Sequence, residues 1–572
     1  MKSSQIDVDG VLRALGQTGF FHTSQCILIC ASVIVASTNS LFYIFYALTP
    51  EYRCNNLTDF QLNQYNISIN EVSLIYDKCS IHILNIDGRD TTENRTLDCL
   101  NGYYYNTPVD KSIVSQWDLV CDRQGLAELT QTFYNLGQVL SGLLTTCLIE
   151  KFGRKPLRVS SHIMLLVFNL IAAYSPSYWV FTAMKLLTGG VREIYFLSSV
   201  ALVCELYPKE KRIIMSGIFM CCWGLYNTTL GLIAYLLKDY GWNTLFLFNV
   251  VISGYFLVDY FFLKESIRWL FANSKVKTAK KIIRNAAKQN NIDFDSVWNM
   301  TLKDTAVKHS DGHVNETSFE YQNSDSKVQQ DATTVVEDTQ SETKEESSMF
   351  VNLLAIFKSP YLRKVTIVVS IEWAVNTTAW NSIFQMLEVL AGNIYLNSFI
   401  MSLFDVFAIG IYSVLARRFG HKISLQCLKS LAATSVISAS LIKIFAESNN
   451  TMEYIILALY ILAVAGLNAA SCGDYIYTSE LYPTQIRSIG SGFATTFTRI
   501  VCLTSPFLKL LALVVPWAPG IIIGTGCIVS SILVQVFLPE TGDRVLPQTI
   551  EDVTQMEKEK KGNKIYTISH RE

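Results

Sequence analysis

The chain has 572 residues, of which 50% are hydrophobic and 17% are charged, and its formal net charge is −1. A soluble domain of ordinary composition carries about 25% charged residues, and nucleic-acid-binding domains carry a basic excess that this chain lacks. The composition therefore argues against both classes, and the distribution of the apolar residues has to decide the fold class.

The apolar residues form twelve blocks, each close to the roughly 20 residues that a helix needs to cross a hydrocarbon core. Backbone groups cannot stay unsatisfied in lipid, so blocks of this length are predicted to be helices. Spans 1 to 6 are predicted at Cys26–Leu48, Leu126–Ile149, Leu157–Ala173, Trp179–Val203, Ile213–Leu237 and Asn243–Leu263. Spans 7 to 12 are predicted at Thr366–Leu387, Tyr395–Leu415, Ser424–Phe445, Met452–Tyr477, Ile489–Leu513 and Pro516–Leu538.

Basic residues collect in alternate loops, for example Lys151, Arg154, Lys155 and Arg158 after span 2. The positive-inside rule then places both termini in the cytosol. Residues 1–25 are polar and lack the apolar core of a cleavable signal peptide. The predicted domains are a cytosolic N-terminus (1–25), an N-terminal six-helix half (26–263), a cytosolic loop (264–360), a C-terminal six-helix half (361–538) and a cytosolic tail (539–572).

The segment 49–125 follows span 1 and is therefore predicted to be extracellular. It contains an even set of cysteines, which suits two disulfide bonds in an oxidising compartment, although the sequence leaves their connectivity open. The cysteines are Cys54, Cys79, Cys99 and Cys121, and N-glycosylation sequons begin at Asn56, Asn66 and Asn94. These signals together predict a glycosylated, disulfide-bonded outer domain.

The long loop between spans 6 and 7 changes in composition along its length. Val276–Ala287 is predicted to form a basic amphipathic helix. From about residue 292 to residue 348 the chain is acidic, rich in Ser and Thr and poor in apolar residues, which favours disorder. A solvated linker is the preferred interpretation of this stretch over a phosphorylated regulatory segment.

An internal repeat relates the two halves. The pattern Glu-Leu-Tyr-Pro, then Arg, then Ser-Gly occurs at Glu205–Gly217 and again, with the same spacing, at Glu480–Gly492. Phe-Gly-Arg-Lys at 152–155 recurs as Phe-Gly-His-Lys at 419–422, and Lys-Glu-Ser at 264–266 recurs as Pro-Glu-Thr at 539–541. Two six-span halves that run in the same direction are the parallel repeat of major facilitator proteins, whose substrate site lies between the halves near the midplane.

The repeated motifs also suggest a gate at the cytosolic face. Glu205 and Glu480 lie at helix ends where arginines from neighbouring loops can pair with them, and such pairs would hold one conformation closed and break in the other. The alternative is that these residues only determine topology. The predicted gating residues are Glu150, Gly153, Arg154, Lys155, Glu205, Arg212, Arg268, Glu480, Arg487 and Glu540.

With these motifs in view, the chain resembles the organic ion transporter family, solute carrier family 22, over nearly its whole length. The segments that carry the resemblance are the Gln-Trp-Asp-Leu-Val-Cys at 116–121, Glu-Ser-Ile-Arg-Trp-Leu at 265–270, Tyr-Leu-Asn at 395–397, Leu-Pro-Glu-Thr at 538–541 and Leu-Pro-Gln-Thr-Ile-Glu-Asp at 546–552. The resemblance implies transport of organic anions, cations or zwitterions across the plasma membrane. The chain departs from the family pattern at Thr146, Glu150, Lys264, Ile267 and Arg417, and its outer loop has four cysteines where the family often has six.

Charges inside the spans are the candidate substrate ligands, because a charge in a membrane is expensive and normally faces a cavity or a partner. Arg499 in span 11 is the first candidate, since its guanidinium offers a planar fork to a carboxylate or sulfate, and its setting resembles that of the anion-type and carnitine-type members. A structural ion pair with a neighbouring acid is the alternative. Lys185 and Arg192 lie seven residues apart on one face of span 4, and Arg192 has the alternative of satisfying Glu193.

Acids and aromatic side chains complete the predicted site. Glu193, Glu372, Asp405 and Asp474 are acids within spans, and Glu372 and Asp474 suit a cation, a proton or neutralisation of Arg499. This mixture of charges leaves the sign of the substrate open and is compatible with a zwitterion. The aromatic candidates for the cavity are Trp373, Trp380, Phe384 and Tyr475, for which packing in the helix bundle is the alternative.

The sequence thus predicts an all-α membrane protein of the major facilitator fold, with twelve transmembrane helices and an extracellular loop domain. The predicted function is plasma-membrane transport of small organic ions by alternating access, with anions or zwitterions preferred over cations as substrates. The sequence leaves open whether the substrate gradient, exchange, the membrane potential or a coupled ion supplies the energy. Without nucleotide-binding, metal-ligand or nucleophile motifs, the chain is not predicted to be an enzyme or to carry a cofactor or metal. A ligand sensor without transport activity is the second alternative, since Thr146 and Arg417 alter the gating motifs. The predicted partners are the substrate and the lipid bilayer, and the sequence leaves the oligomeric state open.

Overall fold

The computed structural model describes residues 8–16, 19–65, 72–85, 95–298, 356–447, 449–483 and 486–540. Within these ranges, twelve long helical segments follow one another in the predicted order. Spans 1 to 6 occupy Phe20–Tyr46, Gly125–Phe152, Arg154–Ala173, Tyr178–Leu206, Lys209–Leu237 and Asn243–Phe262. Spans 7 to 12 occupy Pro360–Gln385, Ile394–Phe419, His421–Phe445, Asn450–Leu481, Arg487–Val514 with a break, and Ala518–Phe537. Of the described helices, nine are long and apolar enough to cross a membrane.

Span 1 begins at Phe20, earlier than the predicted Cys26, and it is built from the consecutive helices Phe20–Ala31, Val33–Leu41 and Tyr43–Tyr46. The polar residues before Cys26 stay helical because Gln25 finds partners at the end of span 6. Its Nε2 donates to the carbonyl of Phe262 at 3.3 Å, and its Oε1 accepts the N–H of Lys264 at 2.8 Å.

Span 11 is interrupted near the middle of its length. Its first helix ends at Val501, a 3₁₀ turn covers Cys502–Thr504, and the second helix is Ser505–Val514 with Pro506 in its first turn. Proline has no N–H to continue the hydrogen-bond ladder of the preceding turn. Span 6 is likewise divided into Asn243–Ser253 and Phe256–Phe262.

Spans 1 to 6 form the N half and spans 7 to 12 form the C half. Small residues allow close helix contact inside the N half, where a Cβ atom on Gly137 of span 2 would lie 2.0 Å from the carbonyl oxygen of Leu186 in span 4. Between the halves, span 5 packs on span 8 and span 2 packs on span 11. At the first of these contacts, a Cβ atom on Gly231 would lie 2.6 Å from the carbonyl oxygen of Tyr395.

The segment between spans 1 and 2 forms two small antiparallel sheets and two short helices. Tyr52–Cys54 pairs with Tyr103–Tyr105, and a second sheet has the order Val72–Tyr76, Ser80–Asn85, Arg95–Asp98, while the helices are Asp59–Gln64 and Ile113–Gln116. Its four cysteines form the disulfide bonds Cys54–Cys99 and Cys79–Cys121, so the connectivity that the sequence left open is resolved. Asn56 is exposed, whereas Asn66 and Asn94 lie outside the described residues.

Three short helices cover the opposite end of the N half. They are Val8–Ala14, Ile267–Ala272 and Val276–Gln289, the last of which is the predicted basic amphipathic helix. Val11, Leu12 and Leu15 are buried against the second and third of these helices in one apolar cluster. The predicted acidic linker lies mostly outside the described residues, as does the tail from residue 541.

Candidate functional site

The bundle has two ends, called here the disulfide end, next to residues 49–125, and the basic end, where Arg154 and Arg268 lie. At the basic end the turn between spans 2 and 3 is held by Glu265. Its carboxylate accepts the backbone N–H groups of Arg154 at 3.2 Å and Lys155 at 3.1 Å, and burial raises the pKa of this carboxyl. Gly153 has φ +97°, and a Cβ atom there would lie 2.6 Å from Glu265 Oε2, so the turn requires glycine.

The C half repeats this arrangement. Gly420 has φ +83°, and a Cβ atom there would lie 2.8 Å from Glu540 Oε1. Glu540 accepts the backbone N–H of Lys422 at 3.3 Å, and Lys422 Nζ donates to the carbonyl of Leu538 at 2.7 Å. The motifs that repeat in the sequence therefore occupy equivalent places in the two halves.

The predicted gating acids differ in their partners. Glu205 pairs with Arg154 at 2.6 Å, whereas Glu480 lies 3.7 Å from His421. The guanidinium groups of Arg268 and Arg212 pair with Asp9 of the N-terminal helix, at 2.5 Å and 3.6 Å respectively.

Two other predicted gating residues take part through different atoms. The backbone carbonyl of Glu150 accepts Trp269 Nε1–H at 2.7 Å. The Nε of Arg487 is buried and has no hydrogen-bond partner among the described residues.

The candidate site centres on an ion pair between the halves. Arg499 of span 11 reaches Glu193 of span 4 at 3.1 Å and Gln138 of span 2 at 3.2 Å. Arg192 pairs with the other oxygen of Glu193 at 3.0 Å and lies over the rings of Phe196 and Trp223 at 4.8 and 5.1 Å. The Arg499 side chain is 25% exposed, whereas that of Glu193 is 2% exposed.

Lys185 lies seven residues before Arg192 on the same face of span 4, and aromatic rings surround its amine. Its Nζ lies 4.4 Å from the ring centre of Tyr134, 5.3 Å from that of Tyr46 and 5.7 Å from that of Phe246. No acid among the described residues lies within ion-pair distance of it. Aromatic faces stabilise a desolvated cation by about 2 kcal/mol, whereas burial without a counter-ion disfavours the charged form, so an anion bound nearby would stabilise the ammonium form of Lys185.

The predicted acids of the C half form a separate cluster. Glu372 pairs with Lys429 of span 9, and Asp474 accepts a hydrogen bond from Asn376 at 3.1 Å. Among the described residues, Arg499 forms its ion pair with Glu193 and not with either of these acids. Asp405 belongs to the span 8 helix, but its side chain lies outside the described atoms.

The aromatic candidates divide between packing and the space between the halves. Trp373 and Phe384 are buried, and Trp373 donates to Thr478 Oγ1 at 2.9 Å. Tyr475 contacts Trp373 edge to face at 4.5 Å, is 52% exposed and interacts electrostatically with Arg499. The ring of Trp380 lies 4.6 Å from that of Phe384 at an interplanar angle of 42°, and its Nε1–H has no partner among the described residues.

Three buried cations were not among the predicted site residues. Lys429 lies within the predicted span 9 and was not considered as a site residue. Arg158 was counted with the basic residues after span 2, although it also falls in the predicted span 3; it lies within the span 3 helix, fully buried, where its Nε donates to Asp259 at 2.8 Å. The spacing of four residues between Arg158 and His162 could have indicated this face, because His162 also lies 3.1 Å from Asp259.

Lys509 is the third of these charges and lies near the disulfide end. It joins Glu128 of span 2 at 3.3 Å to Glu388, which follows span 7, at 2.6 Å. Glu388 also accepts the backbone N–H of Thr49 at 2.6 Å. The lysine is 3% exposed, so this cluster, called here the Lys509 latch, connects the two halves in a dehydrated contact.

The contacts between the halves show which end is closed. Phe45 of the N half stacks on Tyr395 of the C half at 5.5 Å near the disulfide end, beside the Lys509 latch. Asn135 donates to the carbonyl of Cys502 at 3.3 Å, close to Arg499. At the basic end, by contrast, the described ion pairs each join residues of a single half. The bundle is therefore closed at the disulfide end.

Comparisons with known proteins agree with this architecture. The family model described as Major Facilitator Superfamily matches residues 123–506. The xylose transporter XylE from E. coli in its inward open conformation matches with a TM-score of 0.55 and 13% identity, covering 94% of this chain and 100% of that chain. A POT family transporter in complex with a thioalcohol conjugated peptide matches with a TM-score of 0.55 and 12% identity, covering 92% and 99%. These two likenesses concern the fold alone.

Sequence relatives extend along nearly the whole chain. Organic anion transporter 3 of Oryctolagus cuniculus is 27% identical over 547 residues, 95% of this chain and 93% of the relative. Solute carrier family 22 member 6 of Pseudopleuronectes americanus is 27% identical over 569 residues, which cover 95% of this chain and 94% of the relative. The organic cation transporter protein of Drosophila melanogaster is 24% identical over 559 residues, which cover 95% of this chain and 94% of the relative. The resemblance to the organic ion transporter family is thereby confirmed.

Proposed function

The chain belongs to the Major Facilitator Superfamily, and from that premise we propose that it is a plasma-membrane transporter of small organic anions or zwitterions. Transport is by alternating access, in which the halves rock about a site near the midplane. The names of its relatives support an organic ion as substrate, since two of them are organic anion or solute carrier family 22 transporters and a third is an organic cation transporter.

The observation that carries the proposal is the Arg499–Glu193 ion pair. It joins the two halves, and its arginine is partly exposed while its glutamate is buried. With Arg192, the cluster contains two cations and one anion, so it has a net charge of +1, and the buried Lys185 amine adds a hydrogen-bond donor in the same half. A guanidinium recognises a carboxylate through two parallel hydrogen bonds, so an organic carboxylate fits this cluster.

The acidic residues of the C half are the reason to include a zwitterion. Glu372 pairs with Lys429, and the Asp474 carboxyl accepts a hydrogen bond from Asn376, so this half contains carboxyl groups that suit the ammonium group of a zwitterion. The same acids support the alternative of a cation substrate. A coupled or exchanged ion is a further part of the proposal, and a gradient of that ion or of the substrate supplies the energy.

The proposed orientation follows from the two ends of the bundle. The disulfide end faces the cell exterior, because disulfide bonds persist in oxidising compartments, and both termini lie in the cytosol with the basic end. The protein therefore adopts an inward-facing conformation, closed outside. Residues 49–125 form the outer domain, and Asn56, Asn66 and Asn94 are its proposed glycosylation sites.

The test is uptake of pooled radiolabelled organic anions, cations and carnitine by cells that express the chain. Arg499→Ala is compared with wild type and with Arg418→Ala. The second variant removes the same charge from an exposed arginine. Removing one partner of a buried charge pair costs about 2–5 kcal/mol, so Arg499→Ala is expected to lower anion or zwitterion uptake at least about 30-fold, with surface expression intact.

Two outcomes would redirect the proposal. Cation uptake that survives Arg499→Ala would favour the cation alternative and assign the substrate to Glu372, Asp405 and Asp474. Saturable binding of a labelled organic ion without any flux would favour the ligand sensor.

A further inference from the structure

A groove lies at the basic end of the N half, away from the site between the halves. Its volume is about 470 Å³, which is within the roughly 300–1,000 Å³ of small-molecule sites, and it is open along one side. Its walls come from the first turns of span 1, the last turn of span 6 and the Val276–Gln289 helix. It is distinct from the substrate site, since none of the residues around Arg499 contributes to it.

The two walls of the groove differ in polarity. The wall formed by the spans is apolar and faces outward, with Phe20 69%, Ile27 62%, Phe261 64% and Phe262 62% exposed. These side chains lie on the bilayer-facing surface of predicted membrane spans. Aromatic and aliphatic side chains in that position contact acyl chains, so the exposed wall is explained by lipid rather than by water.

The other wall is polar and basic. Lys264, Asn285 and Gln289 line the groove, and the helical repeat places Lys281 and Lys288 on the same face as Asn285. Both lysines are exposed. Lys264 Nζ makes one long contact of 3.5 Å with the carbonyl of Phe261, which leaves donors of its three N–H groups for a further acceptor.

The remaining cations of this helix are used differently. Lys280 lies 4.9 Å from the ring centre of Trp298, and Arg284 lies 4.8 Å from that of Phe294. These contacts give the two cations aromatic partners in the segment that follows the helix. Lys281 and Lys288 are exposed beside the groove-lining Asn285 and Gln289.

We infer that this groove binds one anionic phospholipid of the cytosolic leaflet, with an acyl chain along Ile27 and Phe262 and the phosphate at Lys264, Lys281 and Lys288. The charge complementarity and the position agree, because basic residues immediately cytosolic of a membrane span bind acidic headgroups. The bound lipid extends from span 1 to the Val276–Gln289 helix. It thereby joins the first span to the cytosolic helices that pack on the gating motifs.

The experiment uses the full chain, purified in detergent and stripped of lipid. Retention of phosphatidylserine and of phosphatidylcholine is measured by native mass spectrometry over a lipid titration. Each basic residue near the surface contributes about 1 kcal/mol to binding of acidic lipid, which is about fivefold. The triple variant Lys264→Gln, Lys281→Gln and Lys288→Gln is therefore expected to weaken phosphatidylserine binding about 100-fold, with phosphatidylcholine binding unchanged.

A matched control separates this groove from general attraction of acidic lipid. The triple variant Lys358→Gln, Arg363→Gln and Lys364→Gln removes the same charge from exposed positions beside span 7, and it is expected to retain wild-type binding. Glycerophosphoserine, the headgroup without acyl chains, is expected not to displace the lipid. Equal losses in both triple variants, displacement by the free headgroup, or no phosphatidylserine on the wild-type chain would each overturn the inference.

Discussion

The Lys509 latch makes the strongest prediction about conformational change. Lys509 is 3% exposed and bridges Glu128 of the N half to Glu388 of the C half. The substitution Lys509→Gln leaves two carboxylates facing each other in a buried contact. Breaking a buried ion pair by removing one partner costs about 3–5 kcal/mol, and the cost falls on the closed state because water reaches these groups once the halves separate.

We take the lower bound of this cost, because Glu388 is 15% exposed and its charge is partly screened. A loss of about 3 kcal/mol changes the ratio of closed to open states by about 100-fold. A ligand-free population that is mainly closed at the disulfide end should thus become substantially open there.

Cys502 is a built-in reporter of this opening. It is 4% exposed, its Sγ lies 3.4 Å from Thr378 Oγ1, and it precedes Lys509 by about two helical turns, roughly 10 Å deeper in the bundle. The four cysteines of the outer domain are disulfide-bonded and do not react. A membrane-impermeant maleimide added outside intact cells should label Cys502 at least tenfold faster in Lys509→Gln than in wild type.

Three controls make the result interpretable. Cys502→Ser in the Lys509→Gln background must remove the added labelling. Lys443→Gln removes a lysine near the disulfide end within one half and should leave the labelling rate unchanged. Glu128→Gln combined with Lys509→Gln relieves the repulsion and should return part of the protection. An unchanged Cys502 rate in Lys509→Gln, with normal surface expression, would refute the assignment of these residues as a closing contact.

Three further predictions concern folding. Lys429→Met leaves Glu372 buried without its cation, so the detergent-solubilised protein should lose about 3–5 kcal/mol, visible as a lower melting temperature that Lys429→Arg largely restores. Gly153→Ala brings a Cβ atom within 2.6 Å of Glu265 Oε2 at a φ of +97°, so it should lower the yield of folded protein. A wild-type yield would contradict the requirement for glycine at this turn. Cys79→Ser opens a bridge between residues 42 apart and should destabilise the outer domain by about 4 kcal/mol, measured as faster proteolysis of that domain in intact cells.

The order and length of the spans could be predicted because both depend on local composition. A membrane core requires about 20 apolar residues, and the alternation of basic loops orients them. The repeat was also readable, since Gly153 and Glu265 of one half correspond to Gly420 and Glu540 of the other. The structure explains the repetition, because in each half the glutamate binds the backbone of the turn that the glycine permits.

The partners of the buried charges could not be predicted in the same way. Helical periodicity states which residues share a face, but it does not state which helix lies opposite. Arg499 was therefore considered beside Glu372 and Asp474, whereas it pairs with Glu193 of the other half. Lys429, the actual partner of Glu372, was hidden because one charge in a long apolar block scarcely changes its mean hydropathy.

The buried ion pairs differ in what a rocking motion does to them. The Arg158–Asp259 pair lies within the N half, so it can persist through the transport cycle. The Arg499–Glu193 pair joins the halves and cannot survive their separation unless another anion replaces Glu193, because an unpaired buried guanidinium is costly. A ligand shifts a conformational equilibrium only by its differential affinity for the two states. A substrate carboxylate that takes the place of Glu193 on Arg499 provides that difference, which ties the proposed anion selectivity to the movement of the halves.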